Sequence, residues 1–286
     1  MTEAVRTPEQ RFARLSGYPY PARWLALEDG ELRLVYVAEG AHENRPVLLL
    51  HGPPTWSYLW RSVIPMLIEG GCRVVAPDLI GFGRSDKLAR PRDHKLERHA
   101  TWLMALVEEL DLRHAVIVAH GAAAGLAVRL AAAGGARFVR AAGICPVVAS
   151  AGDGASAAPA SAASAPASDG EEARASDMVA LGCTGPLSDA TRSGYDAPFP
   201  EAEHGAGLRA QTGFLAGWDD APEVRIPILT VAGAKDEQAD PDWVSQVPGP
   251  GGNRRRITIA GAGHYLPEDR GAELALALLA FMAEGA

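Results

Sequence analysis

Apolar residues along this chain cluster in short continuous runs separated by longer polar or amphipathic stretches. A continuous apolar run suits a strand that is covered on both faces of a sheet. The runs predict seven strands, at residues 32–37, 47–50, 74–77, 115–118, 141–144, 228–231 and 256–259.

Amphipathic or alanine-rich segments lie between these runs and predict helices at residues 92–110, 122–133 and 268–282. Strands that alternate with helices imply right-handed crossovers and a mainly parallel sheet. We therefore expect an α/β fold with helices on both faces of a central sheet.

Several chemically useful residues directly follow the predicted strands. In open parallel sheets, sites form beyond the carboxyl ends of the strands. The sequence therefore predicts that one site brings together a set of residues from separate strand ends, namely His51, Asp78, Gly121, Cys145, Asp236 and His264.

Composition narrows the possible partners. The 286 residues carry a formal net charge of -8, which argues against a nucleic acid or an anionic membrane surface. No apolar run approaches the roughly 20 residues needed to span a bilayer, and residues 1–6 lack the apolar core of a signal peptide. The three cysteines show neither paired nor metal-type spacing. We expect a reduced, cytoplasmic protein without cofactor or metal, whose oligomeric state the sequence leaves open.

One segment departs from this pattern. Residues 149–168 are almost wholly Ala, Ser, Gly and Pro, with too little apolar surface to offset the entropy of ordering. We expect a flexible linker there, although an alanine-rich stretch could hold a helical turn. It would open a shortened cap over residues 147–218, inserted into a core formed by residues 1–146 and 219–286.

The pattern of residues 116–125 predicts a buried strand, a tight turn and the start of a helix. This is the arrangement of the nucleophile elbow, whose pattern is small-x-nucleophile-x-small. Ala119 and Ala123 provide the small flanks, and Gly121 occupies the central position. Glycine has no oxygen or sulfur with which to attack a substrate.

Four ordered motifs make the chain resemble the haloalkane dehalogenase family. They lie at residues 6–12, 51–61, 76–87 and 195–200. The resemblance implies an α/β-hydrolase core with a helical cap. It also implies a mechanism in which a carboxylate attacks a carbon–halogen bond and a His–Asp pair then activates water to hydrolyse the ester intermediate.

The resemblance carries over only in part. His264 matches the family's base and Asp236 the acid that orients it, whereas Gly121 matches the nucleophilic aspartate. Ala122 matches the halide-binding tryptophan, and Pro53 the second halide ligand, an Asn or Glu. Proline also lacks the backbone N–H that would help to form an oxyanion hole at that position.

Three functions remain open. The chain could be an enzyme that uses His264 and Asp236 as a general base without a covalent intermediate, on a small apolar molecule. It could instead be a non-catalytic binding pseudoenzyme. In the third alternative Cys145 acts as the nucleophile of a hydrolase.

Overall fold

The computed structural model describes residues 4–147, 174–210, 221–240, 242–250 and 253–284. The linker predicted at residues 149–168 lies outside these ranges. Within them, no helix combines the length and the hydropathy needed to cross a membrane.

An eight-stranded sheet runs through the described part of the chain, in the order β10-β9-β8-β7-β4-β5-β3-β2. The strands from β10 to β5 in this order are parallel, whereas β3 and β2 are antiparallel to their neighbours. Their bounds are β2 Arg23–Leu27, β3 Leu32–Glu39, β4 Arg45–Leu50, β5 Cys72–Pro77, β7 Ala115–His120, β8 Phe138–Ile144, β9 Ile228–Gly233 and β10 Arg254–Ile259. A separate antiparallel pair joins β1 Ala4–Val5 to β6 Lys87–Leu88.

Helices flank the sheet, and residues 174–210, which contain three of them, are called the cap below. Their bounds are α1 Ile64–Glu69, α2 Leu96–Glu109, α3 Ala124–Ala133, α4 Ala175–Gly182, α5 Asp189–Asp196, α6 Ala206–Arg209, α7 Trp243–Gln246 and α8 Leu266–Ala283, the last irregular at Arg270. Short 3-10 turns lie at Glu9–Phe12, Glu28–Gly30, Ser57–Trp60, Pro91–Asp93, Gly121–Ala123, Gly135–Arg137 and Ala202–Gly205.

The predicted mainly parallel α/β architecture is confirmed, and each of the seven predicted strands is present. Two details differ. The helix expected from residue 92 begins at Leu96, because the preceding residues include the 3-10 turn Pro91–Asp93. Strand β2 was not predicted; of its apolar residues 24–27 only Leu27 is buried, and Trp24 is 60% exposed.

Two sets of side-chain hydrogen bonds stabilise the helix ends in the described part of the cap. Ser176 at the start of α4 donates from both its amide and its hydroxyl to the carboxylate of Asp196 at the end of α5. The hydroxyl of Ser188 accepts from the amide of Thr191 and so caps the first turn of α5. Both sets of bonds satisfy helix-end groups, and the bonds between Ser176 and Asp196 also join the two helices.

The cap is anchored to the core by Tyr195 and Gly194. Tyr195 is fully buried, and its hydroxyl donates to the carboxylate of Glu268 in α8. Glu268 is also bound by both guanidinium nitrogens of Arg61, one of them at 2.8 Å. The indole of Trp56 donates to the carbonyl of Gly194 at 3.0 Å. The cap therefore sits over the carboxyl edge of the sheet.

Candidate functional site

His264 and Asp236 form a buried pair at that edge. Nδ1 of His264 lies 3.1 Å from Oδ2 of Asp236, and the two side chains are 8% and 0% exposed. The other oxygen of Asp236 accepts from the amides of Gln238 and Ala239. Burial alone would raise the pKa of Asp236, but the hydrogen bond and charge of His264 outweigh it and keep that pKa below its usual value. The pair predicted from sequence is thus assembled.

Gly121 lies directly opposite this pair. It has φ +57° and starts the 3-10 turn between β7 and α3. A Cβ built at Gly121 would lie 3.4 Å from Nε2 of His264 and 3.9 Å from its Cε1. This left-handed backbone suits glycine, since residues with a Cβ adopt it at a cost. A side chain at position 121 would therefore meet the nitrogen of His264 that Asp236 does not occupy.

His120 connects the turn to the His264 loop. Its Nε2 lies 2.9 Å from the carbonyl oxygen of His264, so it is the protonated ring nitrogen. The ring of Tyr265 stacks on it, with centroids 5.4 Å apart. Burial lowers the pKa of His120 to about 3, which keeps the ring neutral. His120 thus holds the backbone of the base, a contact that the sequence did not reveal.

The loop after β4 packs against the same turn. A Cβ at Gly52 would come within 2.7 Å of the carbonyl oxygen of His120, so only glycine permits this close approach. Nε2 of His51 accepts from the amide of Leu79, and burial lowers the pKa of His51 to about 4. Pro53 follows, half-buried beside the turn.

Asp78 holds the start of the 3-10 turn that follows this loop. Its fully buried carboxylate accepts from the amide and hydroxyl of Ser57. It also accepts from the amide and guanidinium of Arg84. These bonds tie Asp78 to the glycine-rich turn that follows β5.

Cys145 lies behind the pair. Its Sγ, a carboxylate oxygen of Asp236 and a ring nitrogen of His264 all lie within 4.8 Å of one another. The thiol is fully buried and donates to the carbonyl of Gly263 at 3.6 Å. Burial, and then the charge of Asp236, raise the pKa of Cys145 well above its usual value. The environment therefore opposes a reactive thiolate.

Cys145, Asp236 and His264 are also donor types that a metal ion accepts. Among the described residues, no other cluster of such side chains has donor atoms this close. In the pair, however, Nδ1 and Oδ2 are already bound to each other. The arrangement as it stands is that of an acid–base pair with a thiol behind it.

The sequence profile of the Alpha/beta hydrolase family matches residues 47–277, which span the strand ends and the pair just described. The chain belongs to the alpha/beta hydrolase family. This establishes at family level the scaffold that the strand order and the motifs indicate.

Curated relatives agree along the whole chain. A haloalkane dehalogenase of Mycobacterium marinum is 37% identical over 296 residues, covering 96% of this chain and 97% of that protein. A haloalkane dehalogenase 1 of Mycobacterium tuberculosis is 36% identical over 302 residues, covering 98% of each. The chain is therefore haloalkane-dehalogenase-like over nearly its full length.

Solved structures give the same result. The haloalkane dehalogenase DpaA of Paraglaciecola agarilytica NO2 superposes with a TM-score of 0.77 at 27% identity, covering 97% of this chain and 98% of that one. An epoxide hydrolase A of Mycobacterium thermoresistibile reaches 0.72 at 24% identity, covering 92% of this chain and 99% of that one, which indicates a shared fold.

Proposed function

We propose that this chain is a haloalkane-dehalogenase-like protein that has lost covalent dehalogenation and keeps His264 and Asp236 as a general-base pair. One observation carries the proposal: the nitrogen of His264 that Asp236 leaves unbound faces Gly121. Glycine has no side-chain atom that could displace a halide, so no alkyl ester can form at this position.

The neighbouring positions support the same conclusion. The resemblance implies halide ligands at Ala122 and Pro53, where a methyl group and a pyrrolidine ring offer no side-chain donor. Pro53 also offers no backbone N–H. Losing a single oxyanion-type donor typically costs about 10²–10³ in turnover. A leaving halide would therefore be poorly stabilised even if a nucleophile were supplied.

A base remains available. Because the carboxylate of Asp236 holds the Nδ1 proton, Nε2 of the neutral ring presents its lone pair. Nε2 can take a proton from a water whose oxygen attacks an electrophilic carbon, and the imidazolium can return that proton to the leaving group. Asp236 stabilises the imidazolium between these steps. Such a base contributes about 10²–10⁴ to a rate.

Two alternatives remain. A non-catalytic pseudoenzyme is favoured by the same lack of side-chain donors at Ala122 and Pro53. A hydrolase that uses Cys145 is disfavoured by the buried, protonated thiol and by its location on the Asp236 side of the ring.

The primary test is halide release. The wild-type chain, incubated with 1-bromobutane, should release halide no faster than His264→Ala, and intact-mass spectrometry should show no butyl adduct in either. His264-dependent halide release would refute the proposal.

A second assay separates the enzyme from the pseudoenzyme. Hydrolysis of p-nitrophenyl acetate, if catalysed by the pair, should proceed without an acyl-enzyme burst and fall about 10²-fold or more in His264→Ala. Equal rates in the two proteins would favour the pseudoenzyme.

A further inference from the structure

A small volume beside His264 is left free by the missing side chain of residue 121. Apart from the chain neighbours of Gly121, the only described heavy atoms within 4 Å of its Cβ position are Nε2 and Cε1 of His264. A heavy atom placed there would contact the imidazole of His264.

The imidazole is aimed at this volume without a partner of its own. His264 is 8% exposed, and its Nδ1 is engaged by Asp236. Within the described residues, Nε2 has no hydrogen-bond acceptor or donor. The side chain as a whole is nearly buried, and polar groups in such positions normally bond to protein, to water or to a bound molecule.

Charge indicates what that partner is. The buried carboxylate of Asp236 lies at Nδ1 of His264 and can balance one positive charge on the ring. An acid that binds at Nε2 with its proton forms an imidazolium, whose Nε2–H then donates to the bound anion. A hydrogen bond from such a cation to an anion is about twice as strong as one between neutral groups.

The residues next to Gly121 limit the size and charge of an anion that could bind at Nε2 of His264. Ala122 lies in the first turn after β7, where amides have no intrahelical acceptor and can serve as a second donor. Pro53 and Ala122 are half-buried, and the side chain of each is apolar. One charged donor and one amide match the two oxygens of a carboxylate, whereas a doubly charged phosphate would need more donors.

We propose that this volume is a subsite for a small monocarboxylate, whose carboxylate takes the place of the absent side chain of residue 121 and pairs with His264. The inference deepens the proposed function, on which it rests, by naming the ligand class. The natural ligand would be a carboxylic acid with an apolar remainder that lies between Pro53 and Ala122.

The test is equilibrium binding of formate to the full chain, followed through the ¹⁵N shifts of the His264 ring. Three heavy atoms can provide a Kd of about 1 mM at best, so titration into the tens of millimolar range is required. We expect formate to bind at least tenfold more tightly than its uncharged counterpart formamide and than chloride, all at constant ionic strength.

Variants locate the site. Gly121→Ala places a methyl group at 3.4 Å from Nε2, so formate binding should fall at least tenfold, as it should in His264→Gln. Gly135→Ala is the matched control, because Gly135 has φ +52° and no atom within 4 Å of its Cβ position. It should bind formate within twofold of wild type.

Each result decides the proposal. Equal affinity for formate and formamide, or undiminished binding by Gly121→Ala, would overturn it. Should Gly121→Ala fail to fold, the comparison of formate with formamide and chloride in the wild-type chain still decides. Because binding is measured without turnover, its failure is separable from failure of the proposed function, which rests on halide release.

Discussion

The ring of His120 donates from Nε2 to the backbone carbonyl of His264 over 2.9 Å. This bond joins the turn that carries Gly121 to the loop that carries the base. Since His120 is almost fully buried, replacing it removes the only donor to that carbonyl recorded among the described residues. The position of the His264 backbone thus depends on His120, whose ring bonds to it.

We predict that His120→Phe lowers the free energy of unfolding by about 1–3 kcal/mol, the usual cost of a buried acceptor left without its donor. Urea unfolding checks this. The exposed His42 provides the control, and His42→Phe should change stability by about 0.5 kcal/mol or less. A loss in His120→Phe no larger than the control's would show that this bond contributes little.

A side chain at position 121 should cost stability without restoring dehalogenation. Gly121→Asp forces a residue with a Cβ into φ +57°, at a cost of about 1–3 kcal/mol. Halide ligands remain absent at Ala122 and Pro53, so we expect no halide release above wild type. Ion chromatography after incubation with 1-bromobutane measures this.

Gly135→Asp, at φ +52°, controls for the backbone cost and should destabilise by a similar amount. Robust halide release by Gly121→Asp alone would mean that Ala122 and Pro53 do not limit the reaction.

We predict that the buried Lys87 makes the free energy of unfolding rise with pH above 7. It is fully buried, and Nζ donates to the carbonyls of Gly83 and Ser85 at 2.6 and 2.9 Å. Burial lowers its pKa from 10.5 to about 7. Between these values the unfolded chain holds a proton that the folded chain does not, so stability should rise with pH from 7 towards 10.5.

Lys87→Met should flatten that rise by up to about 1.4 kcal/mol per pH unit. Urea unfolding at pH 7, 8 and 9 measures the two slopes, and the exposed Lys95→Met serves as control. Parallel slopes for wild type and Lys87→Met would mean that the ammonium stays charged in the folded chain.

Tyr195→Phe should loosen the cap. It removes a buried hydrogen bond to the carboxylate of Glu268, which we expect to cost about 1.5–3 kcal/mol. Limited proteolysis should cut within residues 174–210 faster in this variant. In the same cap, the half-exposed pair of Arg192 and Asp177 is the control, since Asp177→Asn should cost about 0–1 kcal/mol. Equal protease resistance of Tyr195→Phe and wild type would contradict the anchoring role.

The positions of seven strands along the chain, and those of His264 and Asp236 after two of them, could be predicted from sequence because they follow from apolar runs and from residues at strand ends. The edge strand Arg23–Leu27 was not predicted, because it is not covered on both faces: of its apolar residues 24–27 only Leu27 is buried. Contacts such as that between Tyr195 and Glu268 join residues 73 positions apart. No local pattern encodes such a pairing, because it exists only after the cap has folded onto the core.

The left-handed turn at Gly121 also bears on how this protein can change over generations. Two of the four glycine codons differ from an aspartate codon by a single base, and the backbone already holds the shape that a side chain facing His264 requires. Under the proposed function, the barrier to a reactive group at this position therefore lies less in the turn than in the donors around it. A chain with donors at positions 53 and 122 would need only one further mutation to place a carboxylate opposite His264.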